Sequence, residues 1–165
     1  MLLTAAAVCL LAFPAFGQGD VFSDTNAEYT FSIPDAKWKV ATRPTATLSN
    51  ADLVYVDRAD GLLEIRKLTV AKDQVLSDLI HGGEESKLSF RPGFVAGKDE
   101  NFSGKMRGAI FNYEYVGAGH SMAGRSYYLR ANDTTVYLLK FTGPKENIRS
   151  FRTQADAMAR TFSLK

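Results

Sequence analysis

The sequence predicts an α+β domain in which an antiparallel β-sheet is flanked by helices. Three observations carry that expectation. Between Met106 and Phe141, apolar or aromatic residues alternate with polar or small ones, the two-residue period of half-buried strands. Ala109, Phe111, Tyr113 and Tyr115 share one face there, and Ile110, Asn112, Glu114 and Val116 the other. After residue 144, Ile148, Phe151, Ala155, Met158 and Phe162 recur at three- and four-residue spacings, the stripe of an amphipathic helix. Such a helix is what a one-sided apolar sheet needs as cover. Finally, strand-like runs from Leu53 to Val56 and from Leu62 to Val70 flank Asp57-Arg58-Ala59-Asp60-Gly61, a hairpin loop ending in Asp-Gly.

Length and composition set the frame for these elements. The 165 residues suffice for one domain with a sizeable core and not for two. A hydrophobic content of 45% and a charged content of 23% are those of a globular chain, and a net charge of +2 is too small for the clustered basic surface of a nucleic-acid binder. Residues 1–17 carry no charged side chain, and the apolar run Leu2 to Phe13 has the length of a signal-peptide core while being too short to span a bilayer. Ala15-Phe16-Gly17 supplies the small-x-small pattern of a cleavage site, so cleavage is expected between Gly17 and Gln18. No Lys or Arg precedes the apolar run. Either the start is misassigned or the amino terminus alone supplies the positive charge. The one cysteine, Cys9, falls inside this segment, so the mature chain is expected to hold no disulfide, thiolate site or cysteine nucleophile.

Taken in order, residues 18–27 read as a flexible lead and 28–165 as a single domain. Tyr29, Phe31 and Ile33 alternate with Thr30 and Ser32 in a first strand, which Pro34 stops. Trp38 and Val40 suggest a second short strand, and Arg43 to Asn50 a loop. Asp73 is the expected N-cap of a short helix carrying Val75, Leu76, Leu79 and Ile80, ended by Gly82-Gly83, with a further turn or two over Glu84 to Phe90. A weak strand is expected near Asn101 to Ser103. Three antiparallel strands then follow, joined through Gly117 to Ser121 and through Asn132-Asp133. Gly143 caps the last helix, with Pro144 at its first position and Glu146 at its third.

Chemistry-bearing residues are sparse. His81, beside Gly82-Gly83, suits a helix C-terminus, where the dipole favours a cation. His120 and Ser121 are adjacent in an expected flexible loop. Neighbours on an extended chain point oppositely, and no Gly-x-Ser-x-Gly elbow accompanies them. Asp57 and Asp60 fit turn chemistry, lacking the alternating donors and closing glutamate of a calcium loop. Asp99-Glu100 reads as an exposed acidic pair. Lys145, Arg149, Arg152 and Arg160 form a basic flank on the last helix, partly neutralised by Asp156, and their stems suit a role as apolar cover. Tyr113, Tyr115, Tyr127, Tyr128 and Tyr137 would line a ligand groove if a sheet face were left uncovered. Asn101-Phe102-Ser103 and Asn132-Asp133-Thr134 match the glycosylation pattern, which matters only in a eukaryotic secretory route.

Tyr29-Thr30-Phe31-Ser32-Ile33-Pro34 followed by Trp38 resembles the aromatic-x-Phe-x-x-Pro…Trp opening of PsbP-like domains, and the Tyr-rich strands and the ending Thr161-Phe162-Ser163 fit the same group. The resemblance implies an α/β/α sandwich over residues 27–164. The group includes the extrinsic PsbP subunit of photosystem II, DcrB-like bacterial envelope proteins and a nuclear import factor that binds a small GTPase. A bacterial envelope relative is the nearer match. The resemblance brings no catalytic, cofactor-binding or metal-ligating residue, and no cofactor. The expectation is an exported, secreted or periplasmic accessory protein without catalytic activity. It would act on a protein partner or surface of the cell envelope, with no nucleic acid and no transmembrane segment in the mature chain. The alternative is a small-molecule or metal-ion carrier using the tyrosine face or the Asp57–Asp60 loop. A hydrolase built on His120 ranks last.

Overall fold

The computed structural model describes residues 19–165. The expected signal segment, its cleavage point and Cys9 lie outside the described residues. Strands β1 (Asp20–Phe22) and β2 (Tyr29–Ile33) pair antiparallel, with Phe22 opposite Phe31. The expected flexible lead is thus ordered from Asp20. Phe22 is buried, and its ring stacks on Phe31 with centroids 4.9 Å apart. Burying one phenylalanine contributes about 2 kcal/mol, and together with the β2 ladder this outweighs the polar residues around it.

The main sheet contains β3 (Trp38–Thr42), β4 (Ala51–Tyr55) and β5 (Asp57–Thr69), followed after a helical run by β6 (Val95–Ala96), β7 (Glu100–Ser103), β8 (Arg107–Gly117), β9 (His120–Asn132) and β10 (Thr135–Pro144). Its order is β3-β4-β5-β10-β9-β8-β6, with β7 also on β8, and every pairing is antiparallel. The β4–β5 connection is tighter than the expected five-residue loop. The chain reverses at Val56, whose φ is +59°, so that Tyr55 opposes Asp57 while Val54 opposes Leu62. Residues 58–61 are the surplus and stand out as a bulge.

The β8–β9 connection is also tighter than expected. Gly117 pairs with His120, leaving only Ala118 and Gly119, with φ of +49° and +80°. A two-residue turn with both φ positive matches the twist of a hairpin, so this segment is a fixed corner and not a flexible loop. At the other end Asp133 and Thr134 join β9 to β10, and the Thr134 N–H donates to Asn132 Oδ1 at 3.0 Å.

Helix α3 (Lys145–Thr161) begins one residue later than expected, with Pro144 at the cap. It buries Phe151, Ala155, Met158 and Ala159 against one face of the sheet, and Ile148 is only half-buried. Beside it lies the small sheet β1-β2-β11, where β11 (Ser163–Leu164) pairs with β2. The Ser32 N–H donates to Thr161 Oγ1 at 3.0 Å, tying this sheet to the helix. Trp38 packs edge-on to Tyr55, Phe141 and Phe151 and donates through Nε1 to Gln154 Oε1 at 2.6 Å.

The opposite face carries a shorter cover. It consists of α1 (Leu76–Leu79), a π-helical turn at Ile80–Glu85 and α2 (Ser86–Leu88). Gly82-Gly83 does not end the helix as expected, and Val75 occupies the cap position that Asp73 was expected to fill. The run continues because Ile80, Glu84 and Leu88 are all buried at spacings of four. An α-helix drifts about 40° per four residues. One wider turn, in which the Ser86 N–H reaches back to the His81 carbonyl, takes up that drift and keeps the three on the sheet.

The result is a sheet with a core on each side. Phe111, Tyr113, Tyr128 and Val136 face the short helical run, and Tyr127, Leu129, Leu139 and Phe141 face α3 and the small sheet.

Candidate binding surface

One end of the sheet collects the β8–β9 corner, the 58–61 bulge, the start of α3 and Arg91. These enclose an open groove of about 560 Å³. Tyr115 and Met122, opposite one another on β8 and β9, supply its apolar wall, and Asp60, Arg91, His120 and Glu146 its polar rim. The Arg91 guanidinium lies 6.0 Å from the centre of the Tyr115 ring, within cation–π range. At the same end Phe90 is 88% exposed, and Val95 and Val116 are also exposed.

Two polar networks are buried in the faces of the sheet, and the sequence reading assigned neither. On the α3 side, Arg125 is 4% exposed. Its Nη2 donates to Asp156 Oδ1 at 3.0 Å, its Nε to the Tyr127 hydroxyl at 2.7 Å and its Nη1 to Asn112 Oδ1 at 2.6 Å. The Tyr127 hydroxyl donates in turn to Asp156. Burial and the carboxylate beside it push the Tyr127 pKa well up, so the phenol stays a donor. On the other side, Glu84 accepts from the Tyr128 hydroxyl at 2.8 Å. Its Oε1 lies 2.9 Å from Lys140 Nζ, close enough for an ion pair, although no hydrogen bond joins the two groups. The Tyr113 hydroxyl and Ser126 Oγ are buried beside this face without partners among the described residues. Burial, then the Glu84 charge, raises the Tyr113 pKa. Next to this network lies a hollow of about 410 Å³ walled by Leu68, Leu79, Leu88 and Leu138.

Both networks left a trace in the sequence. Arg125 falls on the same strand phase as Tyr127 and Leu129, and a charge on an inward phase marks a buried pair. Glu84 continues the four-residue spacing from Ile80.

The residues singled out from the sequence are mostly kept apart. His120 opens β9 and faces the groove with Asp60 and Glu146, while Ser121 points to the opposite side, beside Glu114 and Lys145. His120 and Ser121 thus face opposite sides, and this pair does not bring a nucleophile against a base. His81 is not at a helix end but within the π turn. It bonds Glu85, with Asp99 at 3.3 Å from Nε2, and the Glu85 hydrogen bond raises its pKa above 6.5, the Asp99 charge adding to the effect. Asp57 Oδ1 accepts from the N–H groups of Ala59 and Asp60, so it serves the turn. Glu100 accepts from Asn112 Nδ2 at 2.8 Å.

Lys145 pairs with Glu114 at 2.6 Å, and Arg160 donates to the Ser103 carbonyl at 2.9 Å with its guanidinium 5.7 Å from the centre of the Phe102 ring. Arg149 and Arg152 stay exposed. Asp156 answers Arg125, which the basic flank of its own helix does not include. The tyrosine groove is not formed: Tyr113, Tyr127, Tyr128 and Tyr137 are buried as core, and Tyr137 donates to Glu28. Asn101 and Asn132 are exposed.

No protein-family model and no curated protein matches the chain. Solved structures do. The chain is similar to LpqN of Mycobacterium tuberculosis, described as involved in cell envelope biogenesis, with a TM-score of 0.57 and 13% identity over 92% of this chain and 87% of that one. It is similar to the Ran-binding protein Mog1p of Saccharomyces cerevisiae, with a TM-score of 0.59 and 12% identity over 88% and 94% of the two chains. It is similar also to the cyanobacterial PsbP protein, CyanoP, of Synechocystis sp. PCC 6803, with a TM-score of 0.58 and 15% identity over 96% and 98%. The chain has the PsbP-like fold that the sequence resemblance implied. No helix of the described residues is long and apolar enough to cross a membrane.

Proposed function

We propose that this chain is an exported, non-catalytic binding protein of the cell envelope that holds a protein partner at the β8–β9 end of its sheet. The observation that carries the reading is the groove floored by Tyr115 and Met122, with Arg91 at its rim and Phe90 88% exposed beside it. Aromatic, methionine and arginine side chains are those enriched at the centres of protein interfaces, and an exposed apolar patch rimmed by polar residues marks a binding surface. The signal-like segment at residues 1–17 supports export. The LpqN and Mog1p descriptions, envelope biogenesis and Ran binding, are consistent with a fold used for contacts. The partner presents an apolar side chain to the Tyr115–Met122 floor and polar groups of both signs to the rim. A photo-crosslinking residue at position 90 or 116, introduced in cells, should give one discrete adduct, and the same residue at position 48 on the far loop should give none. Adducts of equal pattern from all three positions, or none from any, would remove the reading.

The hollow beside Glu84 favours a second reading, a carrier of a small apolar molecule. Native mass spectrometry of the protein purified from its own envelope tests it. A co-purifying mass lost on Leu138→Trp supports the carrier, and clean apo protein removes it.

A further inference from the structure

A cleft of about 290 Å³ lies between β6, β9 and α3, away from the groove at the β8–β9 corner. Val95, Ala123 and Ile148 form its apolar walls, and three arginines reach it: Arg125 from the sheet, Arg149 and Arg152 from α3. Arg149 and Arg152, one helical turn apart, make no ion pair among the described residues. Three of the carboxylates nearby are already engaged, while Glu146, one helical turn before Arg149, lines the adjoining hollow with it. Asp156 serves Arg125 and Tyr127, Glu114 is paired with Lys145, and Glu100 accepts from Asn112 and stays 3.9 Å from Arg125 Nη1.

The buried guanidinium itself is not used up. Its Nε–H is shared between Tyr127 and Asp156, one Nη1–H goes to Asn112 and one Nη2–H to Asp156. Of five N–H donors, two remain. Two exposed guanidiniums beside a third with spare donors give the cleft a positive potential, and a planar fork suits the paired oxygens of an oxyanion.

We propose that this cleft binds an oxyanion of the phosphomonoester class carried on a small apolar stem. Spare N–H donors of Arg125 take two oxygens, Arg149 and Arg152 close over the others, and the stem rests on Val95, Ala123 and Ile148. The volume is at the lower edge of small-molecule sites, so the stem is no larger than a single ring or a short chain. A soluble phosphomonoester and a phosphomonoester lipid headgroup present the same recognition chemistry.

The probe is phenyl phosphate, titrated into the isotopically labelled protein while the amide resonances of Asn112, Ala123 and Ile148 and the Arg125 Nε–H are followed. Saturable shifts at these groups are expected, with inorganic phosphate binding roughly tenfold more weakly for want of the ring. Arg149→Ala/Arg152→Ala, at two exposed positions, should weaken phenyl phosphate by at least about tenfold while leaving the melting temperature unchanged. Arg125→Lys keeps the charge, loses the fork and should weaken binding as well. Sedimentation with vesicles containing phosphatidic acid, whose headgroup is a phosphomonoester, separates the sources. Binding lost in the double variant assigns the site to a headgroup, and no vesicle binding beside intact phenyl phosphate binding assigns it to a soluble ligand. Shifts that fail to saturate, that fall outside the cleft, or that persist unchanged in Arg149→Ala/Arg152→Ala would overturn the proposal. Because the groove at the β8–β9 corner shares none of these arginines, failed crosslinking from position 90 leaves this test untouched.

Discussion

The two faces of the sheet are covered in different ways. On one, α3 lays a 17-residue amphipathic helix across the strands, and the small sheet extends the cover with the stacked rings of Phe22, Tyr29, Phe31 and Phe162. The polar group buried there, Arg125, meets a carboxylate, a phenol and an amide. On the other face the cover is a short run interrupted by a π turn, with two glycines in it. Leu68 and Leu138 are left half-buried, and the Tyr113 and Ser126 hydroxyls have no partner among the described residues. The first face is closed by α3 and the small sheet except at the cleft beside Arg125. The second is loosely closed, and stability and adaptability are divided between them accordingly.

Breaking the face under α3 should have the largest effect. Phe162 is fully buried between Tyr29, Phe31 and Tyr137, where β11 holds the chain end against β2. Phe162→Ala removes a ring from the junction of α3, the small sheet and the main sheet, and is expected to destabilise by about 3–5 kcal/mol in urea unfolding. A loss below about 1 kcal/mol would mean that the small sheet is an ornament and not part of the core.

The contrast also explains what the sequence made legible. The alternation through Phe111, Tyr113 and Tyr127 and the stripe Phe151–Ala155–Met158 are periodic over many residues, and the strands and the long helix follow from them. The Tyr29–Pro34 opening placed β2 and, through the resemblance, the fold. What stayed hidden was set by long-range contact. Phe22 orders β1 only because Phe31 is there to receive it. The glycines at 82 and 83 read as a stop, because local rules cannot know that Glu84 and Leu88 continue a buried row. The groove at the β8–β9 corner joins residues 60, 91, 120 and 146, which share no local motif.

On the loosely closed face, Glu84→Gln sharpens the comparison. It keeps the shape and an acceptor for Tyr128 while stripping Lys140 of its counter-charge. The expected loss is about 2 kcal/mol, less than for Phe162→Ala because Lys140 is partly open to solvent and can turn to water. The partner change Tyr128→Phe, measured with it in a double-mutant cycle, should show coupling of about 1 kcal/mol. Additive effects would show that Glu84 and Tyr128 act separately.

The smallest effect runs in the opposite direction. Neither Gly82 nor Gly83 has a positive φ, and a Cβ at either position would meet nothing within 4 Å. Sterics therefore do not require glycine here, and both residues weaken the run that covers this face. Gly82→Ala should stabilise by about 0.5–1 kcal/mol, by reducing the freedom of the unfolded chain. Amide exchange over residues 80–88 should slow in parallel, since local opening of a short cover is controlled by the same term. If Gly82→Ala destabilises instead, the π turn depends on backbone freedom that an alanine withholds. The weakness of this face would then be a property of the turn itself and not of its glycine content.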